Sequence, residues 1–123
     1  MAALMATARA RGITHVAYGD LWLEDVRAYR VTTHEGTGIT PIFPIWLGGH
    51  DGEAGARERS RELAACMVAA GLSAVLLTVD TKQLPAHFCG RRFDAALLAD
   101  LPPGVDAMGE KGEFHSLATA GGC

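Results

Sequence analysis

The stretch SAVLLTVD, at 73–80, constrains the fold most. It is apolar on both faces rather than alternating, the pattern of a strand buried between two layers in a parallel sheet. The segment before it, 56–70, reads as a helix with Leu63, Met67 and Ala70 on one stripe and Gly71 as its stop. A strand this apolar needs neighbouring strands and helices to cover it.

The rest of the chain supplies them. Residues 2–11 are alanine-rich and close on Gly12, the signature of a short helix. Ile13, Val16, Ala17 and Tyr18 form a β-like run that ends in Gly19-Asp20. In LWLEDVRAYR, Trp22, Val26 and Tyr29 fall at i, i+4 and i+7 of a helix. PIFPIW reads as a short strand, which Pro41 and Pro44 confine to a strand start or a sheet edge. KQLPAHFCGRRF is a loop with a helical turn, and FDAALLADL is a last helix stopped by Pro102-Pro103. The final loop turns into a strand near 113–117. Alternating helices and strands predict an α/β fold: a partial parallel sheet of three or so strands, with right-handed crossovers and flanking helices. Ligands of such sheets bind beyond the C-terminal ends of the strands. Gly19-Asp20, the GGHDG loop and Asp80-Thr81 all fall there.

The chain has 123 residues, enough for one domain, and its formal net charge is −3. Arg57, Arg59 and Arg61 are interleaved with Glu58 and Glu62 rather than gathered into a patch, so no nucleic-acid partner is expected. Cys66, Cys89 and Cys123 are widely spaced, with no CxxC pair, which suits a reduced, cytoplasmic chain. No apolar run approaches the roughly 18 residues of a membrane span, and MAALMATARARG lacks the core of a signal peptide.

Several short motifs each carry two readings. Asp20 suits a helix cap, and Gly19 lets a ligand approach the backbone. Arg27 is either a surface partner of Glu24 or a clamp for phosphate or carboxylate. LGGHDGEA lies between a strand and a helix, as phosphate loops do, but matches neither glycine-rich fingerprint and reads as a flexible connector. Lys82 meets either an anion or water. The histidines at 15, 34, 50, 87 and 115 have no metal-ligand spacing, and no protein-bound transition metal is expected. GEKGEFHSL, at 109–117, puts two carboxylates and a histidine in a glycine-punctuated loop. Such a loop either grips an amine, an ammonium or Mg²⁺ and lets His115 move a proton, or is only a polar solvated turn.

ITHVAYGDLWLEDVRAYR, PIFPIW, AAGLSAVLLTVDTKQLP, FCGRRFDAALLADLP and GEKGEFHS, in that order, resemble the bacterial branch of the diphthine–ammonia ligase family. That family belongs to the PP-loop ATP pyrophosphatases, or adenine nucleotide alpha hydrolases. The similarity runs over residues 12–116. It implies a Rossmann-like PP-loop fold and an ATP-dependent, amide-forming ligase that uses ATP and Mg²⁺. A carboxylate is adenylated with release of pyrophosphate, and ammonia then displaces AMP. It also implies that Gly109, Glu110, Gly112, Glu113, Phe114 and His115 are substrate-binding, and that Gly19, Asp20 and Arg27 lie near the nucleotide. The bacterial branch acts on a small-molecule or other carboxylate substrate rather than on diphthine.

The chain departs from the family in places. The nucleotide loop Ser-Gly-Gly-Lys-Asp-Ser is not in the sequence, and Gly48-Gly49-His50-Asp51 echoes it only superficially, without lysine. Met108 stands where the branch commonly has cysteine, and Lys111 where asparagine or glycine is usual. The resemblance thus implies the C-terminal portion of the enzyme. Residues 1–101 would form the second half of the PP-loop-type domain, and 102–123 the start of a truncated substrate-binding region. Alone, the chain is expected to be inactive, and either to self-associate as a homo-oligomer or to pair with a separate N-terminal half. The alternatives are a non-catalytic binding module and a truncated, inactive gene product.

Overall fold

A computed structural model describes residues 1–120; Gly121, Gly122 and Cys123, the end of the 102–123 segment, lie outside the described residues. The chain is mixed α/β and divides into two compact units, residues 1–50 and the remainder.

The first unit runs α1 (Ala2–Ala10), β1 (His15–Ala17), α2 (Glu24–His34) and β2 (Thr40–Ile42). β1 and β2 pair in parallel, His15 opposite Thr40 and Ala17 opposite Ile42, so β1–α2–β2 is a βαβ unit. Pro41 is tolerated because β2 has a neighbour on one side only. Helix α2 begins later than its sequence pattern suggests. Leu21 and Trp22 are 1% and 5% exposed, and the Leu21 carbonyl accepts the Leu47 amide at 2.7 Å, which holds this segment out of the helix. Two expectations therefore change. Asp20 does not cap α2, whose N-cap is Leu23 and which has no side-chain cap bond. Trp22 precedes the helix and Tyr29 is 61% exposed, so the expected stripe is not the buried one; His34 is the buried residue of α2.

The second unit runs α3 (Gly52–Ala69), β3 (Ser73–Val79), a 3-10 turn (Ala86–Phe88), α4 (Ala95–Asp100) and β4 (Phe114–Ala120). β3 is not part of a parallel sheet as expected. It pairs antiparallel with β4, Val75 opposite Leu117 and Val79 opposite Phe114, across a register shift between Leu76 and Thr78. On its other edge, the Phe93 amide bonds to the Ala74 carbonyl and the Leu76 amide to the Arg91 carbonyl, both at 2.9 Å. One face of β3 is covered: Ala74 and Leu76 join Leu84, Phe88, Phe93, Leu97, Leu101, Val105 and Phe114 in the core. The other face is not, since Leu77 and Leu117 are about half exposed. A doubly apolar run thus serves here as a singly covered strand, since the connection to β4, with the 3-10 turn and α4, packs Leu84, Phe88, Leu97 and Leu101 on the face of Ala74 and Leu76.

The stripe α3 buries is Ala56, Ser60 and Ala64, each 0% exposed, while Leu63 and Met67 flank it. Small residues on that stripe let the helix lie close to its neighbours. Asp94 caps α4 by accepting the Leu97 amide at 2.9 Å.

Candidate functional site

Two buried carboxylates shape the loop between α4 and β4. Asp106 is fully buried, and its Oδ1 accepts the Ser60 hydroxyl at 2.7 Å and the Met108 amide at 2.9 Å. Glu113 is 1% exposed; its Oε1 accepts the Asp106 amide and its Oε2 the Lys111 amide, both at 3.0 Å. The Glu113 carbonyl accepts the Asp80 amide at 2.9 Å, tying the loop to the end of β3. Burying a carboxylate costs several kcal/mol. Charge-assisted bonds to amides and hydroxyls, worth about 1.5–3 kcal/mol each, offset that cost. The chain reverses at Gly109, where φ is +67° and an added Cβ would lie 2.8 Å from the Phe114 carbonyl oxygen. Glycine alone fits there.

The structure distributes the candidate loop residues unevenly. Gly109 and Gly112 supply the turns, both at positive φ. Both oxygens of Glu113 are engaged by the loop's own backbone. Phe114 is 4% exposed and packs on Phe93, ring centres 6.4 Å apart, in the core rather than at the loop surface. Glu110 is half-buried. His115 is exposed and, being next along the strand, faces away from Phe114. Lys111 pairs with Glu53 in the first turn of α3, and Glu53 also accepts from Arg57 at 2.9 Å. A small cavity of about 70 Å³, bordered by Met108, Phe114, Ser116 and Phe93, opens beside the loop.

At the end of β3, Asp80 accepts the Lys82 amide at 3.0 Å and the Gln83 side-chain amide at 2.9 Å. The Gln83 bond, then the Lys82 amide, hold its carboxyl below the usual value. Asp51 is engaged by Arg59, whose Nη2 lies 2.7 Å from Oδ1. The hydrogen bonds that Arg59 donates to Asp51, the largest cause, raise the Arg59 pKa further.

In the first unit, Gly19 and Asp20 follow β1, and Arg27, on α2, lies over Phe43 and Trp46, which follow β2. A Cβ at Gly19 would meet nothing within 4 Å. Asp20 accepts from Arg30 Nε at 3.3 Å, and the Arg30 guanidinium lies 4.5 Å from the centre of the Tyr18 ring. Tyr18 bonds His34 Nε2 at 2.9 Å and stacks on Phe43, 6.0 Å between centres. The Arg27 guanidinium lies over Phe43 and Trp46, at 5.1 and 4.8 Å. It forms no ion pair with Glu24. The product is a cationic face laid on an aromatic platform.

Sequence reasoning missed Asp106, Ser60, Arg30, Tyr18, Phe43 and Trp46. Two signals were present: a serine interrupting an alanine stripe at i+4, and an aspartate seven residues before Glu113 across a glycine-rich turn. Among the described residues, no three His, Cys, Asp or Glu side chains group so as to hold a metal ion. No helix among them is long and apolar enough to cross a membrane. No protein-family model and no curated protein sequence matches the chain.

Proposed function

We propose that this chain is the substrate-holding portion of a cytoplasmic, ATP-dependent, amide-forming ligase of the diphthine–ammonia ligase kind, with a Rossmann-like PP-loop ancestry. The observation that carries the reading is the G-E-K-G-E-F loop, locked by two buried carboxylates into one conformation beside a small cavity. A preformed loop of this sort removes ordering cost from substrate binding. The βαβ unit, with Gly19 and Asp20 after β1 and Arg27 over rings that follow β2, supports a nucleotide on the first unit.

In the reaction, a substrate carboxylate oxygen attacks the α-phosphorus of ATP and pyrophosphate leaves. Ammonia then attacks the acyl carbon and AMP leaves with the bonding electrons. Mg²⁺ would arrive on the ATP phosphates and neutralise their charge, which asks for only one or two protein carboxylates. Glu113 does not suit that task, because each of its oxygens already accepts an amide. Arg27 suits the role of contacting an anionic group, and Glu110 that of facing a substrate ammonium. The half-exposed Leu77, Leu117 and Ile42 support a partner, either a second copy or a separate N-terminal half.

A pyrophosphate-release assay tests the reading. With ATP, Mg²⁺, ammonium and carboxylate substrates, the chain alone should release nothing above a blank, because it has no Ser-Gly-Gly-Lys-Asp-Ser to stabilise the transferring phosphate. Mixed with a family segment that carries that loop, it should support release. Turnover by the chain alone contradicts the proposal. A stable mixture without turnover favours the second reading, a non-catalytic binding module, to which the engagement of Glu113 by backbone amides already lends weight.

A further inference from the structure

Of the three arginines that lie over aromatic rings among the described residues, Arg30 and Arg91 also pair with a carboxylate and Arg27 does not. Arg30, Arg57, Arg59 and Arg91 each pair with a carboxylate. Arg27 pairs with none, although it is half-buried. Its guanidinium carbon lies instead 5.1 Å from the centre of the Phe43 ring and 4.8 Å from that of Trp46, rings that meet edge to face with centres 6.2 Å apart. A guanidinium held over a ring face still has N–H donors at its edge for another group. No acceptor within the described residues takes one of those donors. Phe43 and Trp46 follow the C-terminal end of β2, and Tyr18 follows that of β1. Ligands of parallel sheets bind at that end. The neighbouring cation, Arg30, is ion-paired with Asp20, whereas no carboxylate among the described residues pairs with Arg27.

We propose that the edge of Arg27 is an oxyanion-binding site, with Phe43 and Trp46 as the platform that pre-orients it, and that its ligand is a phosphate-type oxyanion taken bidentately. The site deepens the nucleotide reading of the first unit but stands on its own geometry. Pre-orientation matters because a free arginine loses rotamer freedom when it grips an anion, whereas a stacked one has already lost it. Phe43 and Trp46 are therefore positioning residues. A flexible lysine at 27 would keep the charge and lose the fork.

The full chain should be titrated with inorganic pyrophosphate at constant ionic strength, following tryptophan fluorescence, with titration calorimetry as a readout independent of the rings. The wild type should show a saturable change, carried by Trp46 and lost in Trp46→Phe, which retains Trp22. Arg27→Gln should weaken binding roughly tenfold or more, the loss expected for a charge-assisted bidentate contact. Arg27→Lys should recover only a small part. Arg30→Gln, whose cation already serves Asp20, should weaken binding less than Arg27→Gln. Circular dichroism establishes that the variants are folded. Unchanged affinity in folded Arg27→Gln, full recovery in Arg27→Lys, or a wild-type response no different from that to sodium chloride overturns the proposal. Adenosine and ATP separate it from the nucleotide reading. Adenosine binding without pyrophosphate binding overturns the oxyanion site and leaves the nucleotide reading intact. Pyrophosphate binding without ATP binding supports the site and removes the nucleotide.

Discussion

The two units handle charge in opposite ways. The second buries it: Asp106 and Glu113 lie inside, and backbone amides and a serine hydroxyl surround them. The first leaves its cations half-buried near its surface, with Arg27 and Arg30 resting on ring faces. The difference follows from the cores. The second unit has a continuous apolar cluster from Ala64 to Phe114, dry enough to strengthen a fully bonded carboxylate and to punish an incomplete one. The buried apolar residues of the first unit are Met5, Leu21, Trp22 and Ile39. With so few, its polar groups stay near water, where each contact is weak and easily exchanged for a ligand. Internal charge makes a rigid loop; charge near the surface makes a receptive face.

The comparison breaks first, and most visibly, at Glu113. Glu113→Ala leaves the Asp106 and Lys111 amides without their acceptor, and at about 1–3 kcal/mol per orphaned donor the loss should be roughly 2–6 kcal/mol in denaturant unfolding. Gly109→Ala should cost about 1–3 kcal/mol, since it forces a left-handed backbone and a clash with the Phe114 carbonyl in the same loop. Asp94→Ala, which removes the cap of α4, should cost about 1 kcal/mol. In the first unit the effects shrink. Arg27→Ala should lose about 0.5–1 kcal/mol and leave the unfolding transition recognisable. A loss there as large as that of Glu113→Ala would erase the contrast between the units.

The smallest effect is one of pH. Asp80 has its folded pKa lowered below the ordinary 3.8 by the Gln83 and Lys82 bonds. Near that value the unfolded chain holds more protons than the folded one. The stabilisation from Asp80 is thus complete above 3.8 and disappears as the pH falls through the depressed folded value. Asp80→Asn should flatten this part of an acid titration of stability, and an unaltered slope would show that the turn at 80–83 contributes nothing to it.

Much of this architecture was legible in the sequence. The helices at 2–10 and 95–100 and the strand at 73–79 followed from periodicity, glycine stops and prolines, as did α3 from residue 56 onward, whereas its first turn at 52–55 reads as part of the glycine-rich loop. The late strand near 113–117 also formed, as Phe114–Ala120. Partner choice was not legible, because an apolar run such as SAVLLTVD pairs equally well with a parallel or an antiparallel neighbour. The start of α2 was missed because Leu21 and Trp22 are held by tertiary contacts that override the helical period. Within the candidate site, the glycines and Glu113 stood out by spacing. Asp106 did not, since a lone aspartate after a proline turn looks like a solvated loop residue until Ser60 is seen opposite it. The platform under Arg27 was hidden for a similar reason: Phe43 and Trp46 are distant from it in sequence and meet it only through the parallel pairing of β1 and β2.

The central claim is that the loop at 106–113 is preformed, with its carboxylates engaged by its own backbone. Amide hydrogen exchange, resolved at the Asp106, Met108 and Lys111 amides, tests it most directly. The account predicts protection of all three in the wild type, and loss at one of Asp106 and Lys111, with Met108 least affected, in folded Glu113→Gln, whose side chain keeps a single acceptor oxygen. Fast exchange at the three amides in the wild type, with the core strand β3 still protected, would contradict it.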